Sequence, residues 1–324
     1  MTGILLIQLG TPDSPTPPAV KTYLRQFLSD PRVIENQGFV WKCILHLLIL
    51  RRRPAESAAK YARIWDATTG SPLKHYTQRQ TTLLQQTLPN LTVRFGMQVG
   101  NPPVADVVRE MVEQGVDRLL VLPMYPQYSA TTGASATDVL FHALMKLRRV
   151  PAIRIVPPYY AHPAYIGAIT TIIREELGKL DFQPDHFLYS FHGIPKKYAQ
   201  AGDPYATHVV RTTQALQKQL QLPRDRWTQT YQSRFGRTVW LKPYTDDVLT
   251  RLAQSGRKKV FVTLPGFTVD CLETIDEIGR ESTEVFHHAG GERLHACRCL
   301  NDHPTWIAAM RQILLEEGHG WIKD

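Results

Sequence analysis

The sequence predicts an α/β protein made of two similar domains, each a doubly wound, parallel, Rossmann-like sheet. An internal repeat supports this fold class. The segments "VVREMVEQGVDRLLVLP" and "VLTRLAQSGRKKVFVTLP" each suggest an amphipathic helix, a stopping glycine and an apolar strand that ends at a proline. The two closing prolines, Pro123 and Pro265, lie 142 residues apart, and two "RFG" motifs upstream lie 140 residues apart. The similar spacing predicts two related halves.

A second pair of segments marks the first strand of each half. "LIQLGTP" (Leu6–Pro12) is similar to "YSFHGIP" (Tyr189–Pro195), and each is a strand-like run that ends in Gly-x-Pro. In this alignment His192 occupies the position of Leu9. Because the scaffold accepts leucine there, a histidine at the strand end favours a functional role over packing alone.

The spacing also places an insertion in the first half. The connection from the first Gly-x-Pro to "RFG" spans 86 residues in the first half and 43 in the second. We therefore predict an N-terminal domain at 1–150 that has an insertion at about 35–80, and a C-terminal domain at 151–324. An insertion beside a strand end is suited to a lid or a docking surface.

Composition restricts the partners and the compartment. The chain of 324 residues has a net charge of +9, which favours anionic partners such as acidic lipid, nucleic acid or a small polycarboxylate. Its four cysteines are too few for a disulfide framework at this length, which predicts a reducing, cytoplasmic location. The N-terminus lacks the basic start of a signal peptide.

The longest apolar segment is Phe39–Leu50, "FVWKCILHLLIL", which is followed by Arg51, Arg52 and Arg53. As a helix it would be about 18 Å long, which is too short to cross a bilayer. Two interpretations stay open: a buried helix, or a surface helix that lies on anionic lipid, with Trp41 in the interface and the arginines near the head groups.

Five of the acidic residues after Pro265 share a helical spacing. On an α-helix, at about 100° per residue, they fall within roughly 80° of one another. They form either a solvated acidic face or, beside a strand end in a basic chain, a path of oxygen ligands for a divalent cation. The five residues are Asp270, Glu273, Glu277, Glu281 and Glu284.

Six motifs together resemble the ferrochelatase family over nearly the whole chain. They are "LIQLGTPDSPTPPAVKTYLRQFLSDPRVIE", "GSPL", "LPMYPQYSATTGAS", "SFHGIPKKYAQAGDPY", "YQSRFGRTVWLKPYTDD" and "PGFTVDCLETIDEI". The resemblance implies the chelatase fold, two doubly wound domains with a porphyrin cleft between them. It also implies a lyase that inserts ferrous iron into protoporphyrin IX to form protohaem, the last step of haem biosynthesis.

The resemblance assigns roles residue by residue. His192 and Glu273 match the catalytic pair that faces the macrocycle, and with Glu277 and Glu281 they match the residues that bind or conduct the metal. Asp270 matches a supporting acid behind them. Leu9 lies where some members place a metal-side Met or Tyr, but leucine cannot ligate. The implied porphyrin contacts are Leu9, Arg52, Arg53, Ser71, Tyr125, Tyr128, Gln232, Ser233 and Trp240.

The resemblance implies no cofactor beyond the substrate Fe²⁺. Some members carry an iron–sulfur cluster on a cysteine-rich C-terminal extension, which this sequence does not show, so we predict no cluster. Cys297 and Cys299 alternate with His295 in "LHACRCL", and buried structural thiols are favoured there over a metal site.

Several alternatives remain at this stage. The substrate could be coproporphyrin rather than protoporphyrin, and the protein could be a haem or porphyrin carrier without chelatase activity. A phosphate loop in "QLGTPDS" is disfavoured, because the motif lacks the glycine pattern of such loops and Asp13 would repel phosphate. The predicted partners are protoporphyrin IX, ferrous iron and, peripherally, the inner face of an anionic cytoplasmic membrane; no nucleic acid is expected.

Overall fold

The structure is a computed structural model that describes residues 1–234, 236 and 238–322. The chain divides into two units, Met1–Pro158 with Met310–Asp324 and Tyr159–Ala309. The division thus lies eight residues beyond the predicted boundary, and the C-terminal segment groups with the first unit. Contacts within unit 1 explain this grouping: Arg154 Nη1 donates hydrogen bonds to the carbonyls of Glu317 (3.0 Å) and His319 (2.9 Å).

Unit 1 contains a four-stranded parallel sheet with the order β2-β1-β3-β4. The central strand is buried over its whole length, as expected for a parallel strand that is covered on both faces. One face packs on two helices, α5 (Val104–Glu113) and α6 (Ser135–Leu144), through a cluster that includes Leu5, Val108 and Leu140. The strands are β1 (Thr2–Gln8), β2 (Thr92–Met97), β3 (Arg118–Pro123) and β4 (Ala152–Ile155).

The helices of unit 1 begin and end where local chemistry requires. Pro17 and Pro72 occupy first-turn positions, where a missing N–H costs nothing. The glycine after α5, Gly115, has φ +94° and closes that helix. The helices are α1 (Pro17–Phe27), α2 (Phe39–Cys43), π1 (Ile44–Ile49), α3 (Leu50–Ile64), α4 (Pro72–Thr87), α5 (Val104–Glu113), π2 (Ala130–Ala134) and α6 (Ser135–Leu144).

Unit 2 repeats the topology, with a parallel sheet in the order β6-β5-β7-β8. Leu188, Val260 and Phe286 belong to its core. The elements are β5 (His186–His192), β6 (Trp227–Gln232), β7 (Lys259–Thr263), β8 (Arg293–Ala296), α7 (Pro163–Gly178), α8 (Lys196–Gln200), α9 (Tyr205–Leu220), α10 (Thr245–Gln254), π3 (Glu273–Ser282) and α11 (Thr283–His288). The last helix, α12 (Pro304–Glu317), crosses the boundary between the units in sequence. The prediction of two similar parallel α/β domains is therefore confirmed.

Strand register corrects the alignment of the two halves by one residue. The last residue of β1 that pairs with β2 is Gln8, and the last residue of β5 that pairs with β6 is His192. The counterpart of His192 is therefore Gln8 rather than Leu9. Gln8 is buried, and its Oε1 accepts a hydrogen bond from the Leu9 backbone N–H at 3.0 Å. Unit 1 thus closes this strand with an amide that cannot titrate.

The two "RFG" motifs are not structural equivalents. Arg94–Gly96 lies within β2, opposite Leu5–Ile7 of β1. The second motif begins at Arg234, after β6 has ended, and its Phe235 is outside the described residues. The equivalence of the two units therefore rests on strand order. The similar spacing of the two motifs does not reflect equivalent positions in the units.

The segment 39–50 forms part of a helical run in unit 1 and shows two faces. Its inner face carries Leu45 and Leu50, each 2% exposed, which pack on Leu28. Trp41 also turns inward, because its Nε1–H donates to the Leu28 carbonyl at 3.2 Å, which corrects its expected place in the lipid interface. The outer face exposes Phe39, Val40, Ile44, Leu47 and Leu48. Within the described residues, no helix combines the length and apolarity needed to cross a bilayer.

Candidate active site

His192 ends β5 in unit 2, and its ring is only partly buried. Its Nδ1 lies 2.7 Å from the carbonyl oxygen of Gly193. Because a carbonyl only accepts, the neutral ring carries its proton on Nδ1 and keeps a lone pair on Nε2. The Tyr205 hydroxyl fixes the backbone by donating to the His192 carbonyl at 2.8 Å. The arrangement presents Nε2 as a proton acceptor or a metal ligand.

Trp240 lies beside this histidine. The two ring centroids are 6.5 Å apart with an interplanar angle of 53°. The backbone between them leaves no room for a side chain, since a Cβ on Gly193 would lie 3.0 Å from the Gln232 carbonyl oxygen and 3.1 Å from Trp240 Cε3. Glycine at position 193 therefore allows β5, the Gln232 strand end and Trp240 to meet at one point.

Gln232 ends β6, the strand next to His192, and is buried. Its Oε1 accepts a hydrogen bond from Ser190 Oγ at 2.7 Å, which leaves the Nε2 amide hydrogens to donate. Nε2 donates to the Glu273 carbonyl at 2.9 Å. This glutamine therefore joins the end of β6 to the first turn of π3.

Glu277 is held by the residue that follows Gln232. Its carboxylate accepts hydrogen bonds from the Ser233 backbone N–H (2.7 Å) and from the Ser233 hydroxyl. Ser233 has φ +64°, a left-handed conformation that aims both donors at one carboxylate. Burial raises the pKa of Glu277, and the Ser233 hydrogen bonds and the His192 ring oppose that rise. His192 and Glu277 are thus electrostatically coupled groups of one site.

The helix that carries the acids is a π-helix rather than the expected α-helix. At about 4.4 residues per turn, residues four apart still lie within about 35° of one another, so Glu273, Glu277 and Glu281 keep one face. π-Helical segments are rare and often occur at functional sites. The acidic face therefore survives the change in helix type.

Arg280 forms surface ion pairs with acidic residues in π3 and just after it, at the far end of the predicted acidic face. Its guanidinium donates to Asp276 (2.8 Å), Glu281 (2.8 Å) and Glu284 (3.1 Å), and its contacts with Asp276 and Glu284 raise its pKa. Glu281 and Glu284 are therefore both ion-pair partners of Arg280. Asp276, 2% exposed on the other face of π3, was not singled out from the sequence.

Asp270 lies before π3 and is fully engaged in hydrogen bonds. Its Oδ1 accepts from the Thr274 hydroxyl (2.9 Å) and the Cys299 backbone N–H (3.2 Å), and its Oδ2 accepts from Asn301 Nδ2 (2.6 Å). This geometry suits a supporting acid that fixes the start of π3.

Four predicted porphyrin contacts of unit 1 lie at or beyond the carboxyl ends of its strands. Leu9 follows β1, and Ser71 precedes α4, where its hydroxyl donates to Thr11 Oγ1 at 2.9 Å. The Tyr125 hydroxyl donates to Gln98 Oε1 at 2.9 Å, and burial raises its pKa. Tyr128 lies against Gly133 of π2, where a Cβ would be 3.2 Å from its ring.

Arg52 and Arg53 lie on the exposed surface of α3, just after the apolar segment. Partial burial lowers the pKa of Arg53, with Glu56 opposing, but guanidinium stays charged at neutral pH. Both arginines therefore carry a positive charge on the exposed surface of α3.

The cysteine pair behaves as the sequence suggested for buried thiols. β8 ends at Ala296, so Cys297 and Cys299 follow the strand, while His295 Nε2 lies 3.2 Å from Glu176. Burial raises the pKa of both thiols, which keeps them protonated. Over residues 1–234, 236 and 238–322, no group of three His, Cys, Asp or Glu side chains forms a ready-made metal site.

Three residues that orient this site carry no clear signal in the sequence. Ser190, Gly193 and Asn301 contact the predicted site residues directly. One signal was available: Ser190 is a polar residue inside the apolar run "FLYSF" of a buried strand, where an unbonded hydroxyl would be costly.

The chain is similar to known ferrochelatases over nearly its whole length. The Ferrochelatase family model matches residues 1–318. A ferrochelatase of Mesorhizobium japonicum is 48% identical over 99% of this chain and 92% of its own length. A ferrochelatase of Rhodopseudomonas palustris strain HaA2 is 46% identical over 99% of this chain and 94% of its own length.

Solved structures show the same fold at much lower identity. SirB from Bacillus subtilis with Fe³⁺ gives a TM-score of 0.56 at 15% identity and covers 78% of this chain and 93% of its own. The sirohydrochlorin chelatase SirB from Bacillus subtilis subspecies spizizenii, in complex with cobalt, gives a TM-score of 0.53 at 15% identity, covering 76% of this chain and 91% of its own.

Proposed function

The chain belongs to the ferrochelatase family, whose enzymes insert iron into a porphyrin, and from this premise we propose that its substrate is protoporphyrin IX and its product protohaem. The match over residues 1–318 supports the coarser part of the proposal, iron insertion into a porphyrin. Within unit 2 it is supported by the placement of His192 at the carboxyl end of β5 and of Glu277 on π3, where Ser233, just after the neighbouring strand β6, binds its carboxylate.

The reaction requires that two protons leave the porphyrin. Each of two pyrrole N–H groups gives up its proton as Fe²⁺ forms bonds to the four ring nitrogens. In our proposal His192 Nε2, which has a lone pair, accepts one proton. The raised pKa of Glu277 makes it a better proton acceptor than an ordinary surface carboxylate, so it is suited to receive the other.

The acidic face of π3 would provide oxygen ligands for the entering iron. Glu281 pairs with Arg280 at the surface, Glu277 is partly buried, and Glu273 begins the helix. Ferrous iron accepts oxygen and imidazole ligands, so successive carboxylates could replace its waters one at a time. This face supports an enzyme over a passive porphyrin carrier, which would not need it.

The propionates would be bound by donors and cations. Arg52 and Arg53 suit carboxylates because guanidinium forms two parallel hydrogen bonds. Ser71 has its hydroxyl donated to Thr11 and could exchange this partner for a propionate. Protoporphyrin is poorly soluble, so delivery from a lipid surface is physically reasonable.

We also propose peripheral attachment to the cytoplasmic face of an anionic membrane. Five large apolar side chains are exposed between positions 39 and 48, and three arginines follow them at 51–53. This combination favours adsorption in the head-group region. No iron–sulfur cluster or other cofactor is part of the proposal.

The test is steady-state turnover of purified protein with ferrous iron and either protoporphyrin or coproporphyrin, followed by the metalloporphyrin absorption bands. We expect a higher kcat/KM with protoporphyrin. A preference for coproporphyrin would overturn the substrate assignment. Porphyrin binding without acceleration over the protein-free rate would instead indicate a carrier.

A further inference from the structure

Asn301, which lies beyond β8, recognises the segment that precedes π3. Its backbone N–H donates to the Thr268 carbonyl at 3.1 Å. Its side-chain Oδ1 accepts from the Asp270 N–H at 2.8 Å, and its Nδ2 donates to Asp270 Oδ2 at 2.6 Å. One residue therefore makes three hydrogen bonds to the chain just before the acidic helix.

The position suits asparagine in particular. Its φ is +45°, a left-handed conformation that asparagine adopts more readily than other residues with a side chain. It is 4% exposed, so each polar atom of its amide needs a partner inside the protein. An amide offers a donor and an acceptor together, and Asp270 presents the complementary acceptor and donor.

The contact is transmitted to π3 through Asp270. The other carboxylate oxygen of Asp270 accepts from the Thr274 hydroxyl at 2.9 Å, and Thr274 lies in the first turn of π3. Glu273 lies between these two residues in sequence, and its carbonyl accepts the hydrogen bond from Gln232. A displacement of Asp270 would therefore move the turn that carries Glu273.

We propose that Asn301 is a positioning residue for iron insertion: through Asp270 it holds the first turn of π3, and with it Glu273, in the productive geometry. This inference rests on the proposed function, in which Glu273 is one of the oxygen ligands that π3 provides for the entering iron. It assigns a role to a residue that contacts neither iron nor porphyrin. Partners behind a metal-side residue typically change affinity or rate by about 10–100-fold when lost.

The pair permits a reversal experiment. Asn301→Asp alone places two carboxylates at 2.6 Å and removes the donor to Asp270, so the segment must shift. Asp270→Asn alone places two amides opposite each other. An N–H group of one of them must then point at another hydrogen-bond donor. The double variant Asp270→Asn/Asn301→Asp exchanges the groups, so a carboxylate again faces an amide and each hydrogen bond can reform.

The measurements are kcat and the separate KM values for ferrous iron and porphyrin, with urea unfolding on the same samples. We expect each single variant to lower kcat about tenfold and to raise the KM for iron, with the KM for porphyrin unchanged. The double variant should regain at least a third of the wild-type kcat. Gln221→Asp is the matched control, because Gln221 also has a positive φ of 52° but is exposed at the end of α9.

Three outcomes overturn the proposal: single variants that unfold more easily but keep wild-type kinetics, a double variant no better than the worse single variant, or an equal loss in the control. If Asn301→Asp does not fold, Asp270→Asn and the double variant provide the same comparison. Failure of the substrate assignment is recognised separately, because wild-type protein measured alongside would then prefer coproporphyrin, and the variants would be compared with that porphyrin.

Discussion

The two units share one topology but differ in the helical segment after the third strand of each sheet. In both, a π-helix begins a few residues after the strand-closing proline: π2 after Pro123 and π3 after Pro265. π2 has the sequence ATTGA, without a charged residue, whereas π3 has ETIDEIGRES. Each unit thus has a π-helix at this position, and only the π-helix of unit 2 carries carboxylates.

The neighbouring strand shows the same contrast. The residue that follows the paired end of β2 is Gln98, whose Nε2 donates to Ser135 on α6. The residue that follows β6 is Ser233, which donates to Glu277 on π3. Each unit therefore connects this loop to the helix after its third strand, through neutral groups in unit 1 and through a partly buried carboxylate in unit 2. The same scaffold thus carries a charged partner at this position only in unit 2.

The largest expected effect comes from giving His192 the identity of its counterpart. His192→Gln copies Gln8 and keeps a polar side chain but removes the titrating lone pair. We expect kcat for iron insertion to fall by about 10²–10⁴-fold, as is usual when a proton acceptor is lost, while porphyrin binding survives. Turnover is measured by metalloporphyrin absorption and binding by porphyrin fluorescence.

His288→Ala is the matched control for this variant, because His288 is an exposed histidine of α11 in the same unit. It should keep wild-type turnover. A near-normal kcat in folded His192→Gln protein would show that His192 takes no part in the reaction. The difference between His192 and Gln8 would then have no catalytic meaning.

A second expected effect concerns stability at the other end of the same strands. His186 begins β5 where Thr2 begins β1. Its Nε2 pairs with Thr228 Oγ1 at 2.8 Å, while its Nδ1 is buried with no hydrogen-bond partner among the described residues. Burial, with help from the charge of Arg257, lowers its pKa from 6.5 to about 4.

The sign of the pH dependence follows from this lowered pKa. Because the unfolded chain binds the proton more tightly, the stabilisation is complete above pH 6.5 and is lost as pH falls toward 4, by at most about 3 kcal/mol. Urea unfolding between pH 7.5 and about 4.5 measures it. His186→Thr copies unit 1 and should lose this one-proton slope; an unchanged slope would assign it to other groups.

The sequence predicted the scaffold more completely than the site. Hydrophobic periodicity and the repeated helix–glycine–strand–proline segments predicted both sheets, because apolar strands and amphipathic helices are local signals. The register failed by one residue and the "RFG" match misled, because strand pairing depends on contacts between distant segments. Asn301 was missed for the same reason: its function depends on Asp270, 31 residues away.

The next prediction sharpens the contrast between π2 and π3. Glu277→Gln removes the carboxylate that Ser233 binds, and Glu281→Gln removes one that already pairs with Arg280. We expect the KM for iron to rise about tenfold in the first and about twofold in the second, with little change for porphyrin. Iron titrations at saturating porphyrin measure this. If both variants have the same KM for iron as the wild type, the acids of π3 do not bind the entering metal and form only a solvated face.

The smallest effect tests the other difference between the units, the long connection of unit 1. Residues 9–91 separate β1 from β2, whereas only 193–226 separate β5 from β6. The longer connection exposes Phe39, at 81%, and Leu47 and Leu48, each at 53%. Phe39→Ser with Leu48→Ser should weaken binding to anionic vesicles roughly three- to tenfold, since each would lose part of the 1.5–3 kcal/mol of a buried apolar side chain.

Trp41 should contribute much less to this binding, because it packs on Leu28 inside the unit. Phe141→Ser with Met145→Ser is the matched control, since Phe141 is exposed on α6 and Met145 directly after it, outside the connection. Co-sedimentation with anionic vesicles at low and high salt measures the binding, and salt should weaken it by screening Arg51, Arg52 and Arg53. Equal losses in test and control variants would show that any exposed apolar residue of unit 1 contributes, and that the connection is not a membrane contact.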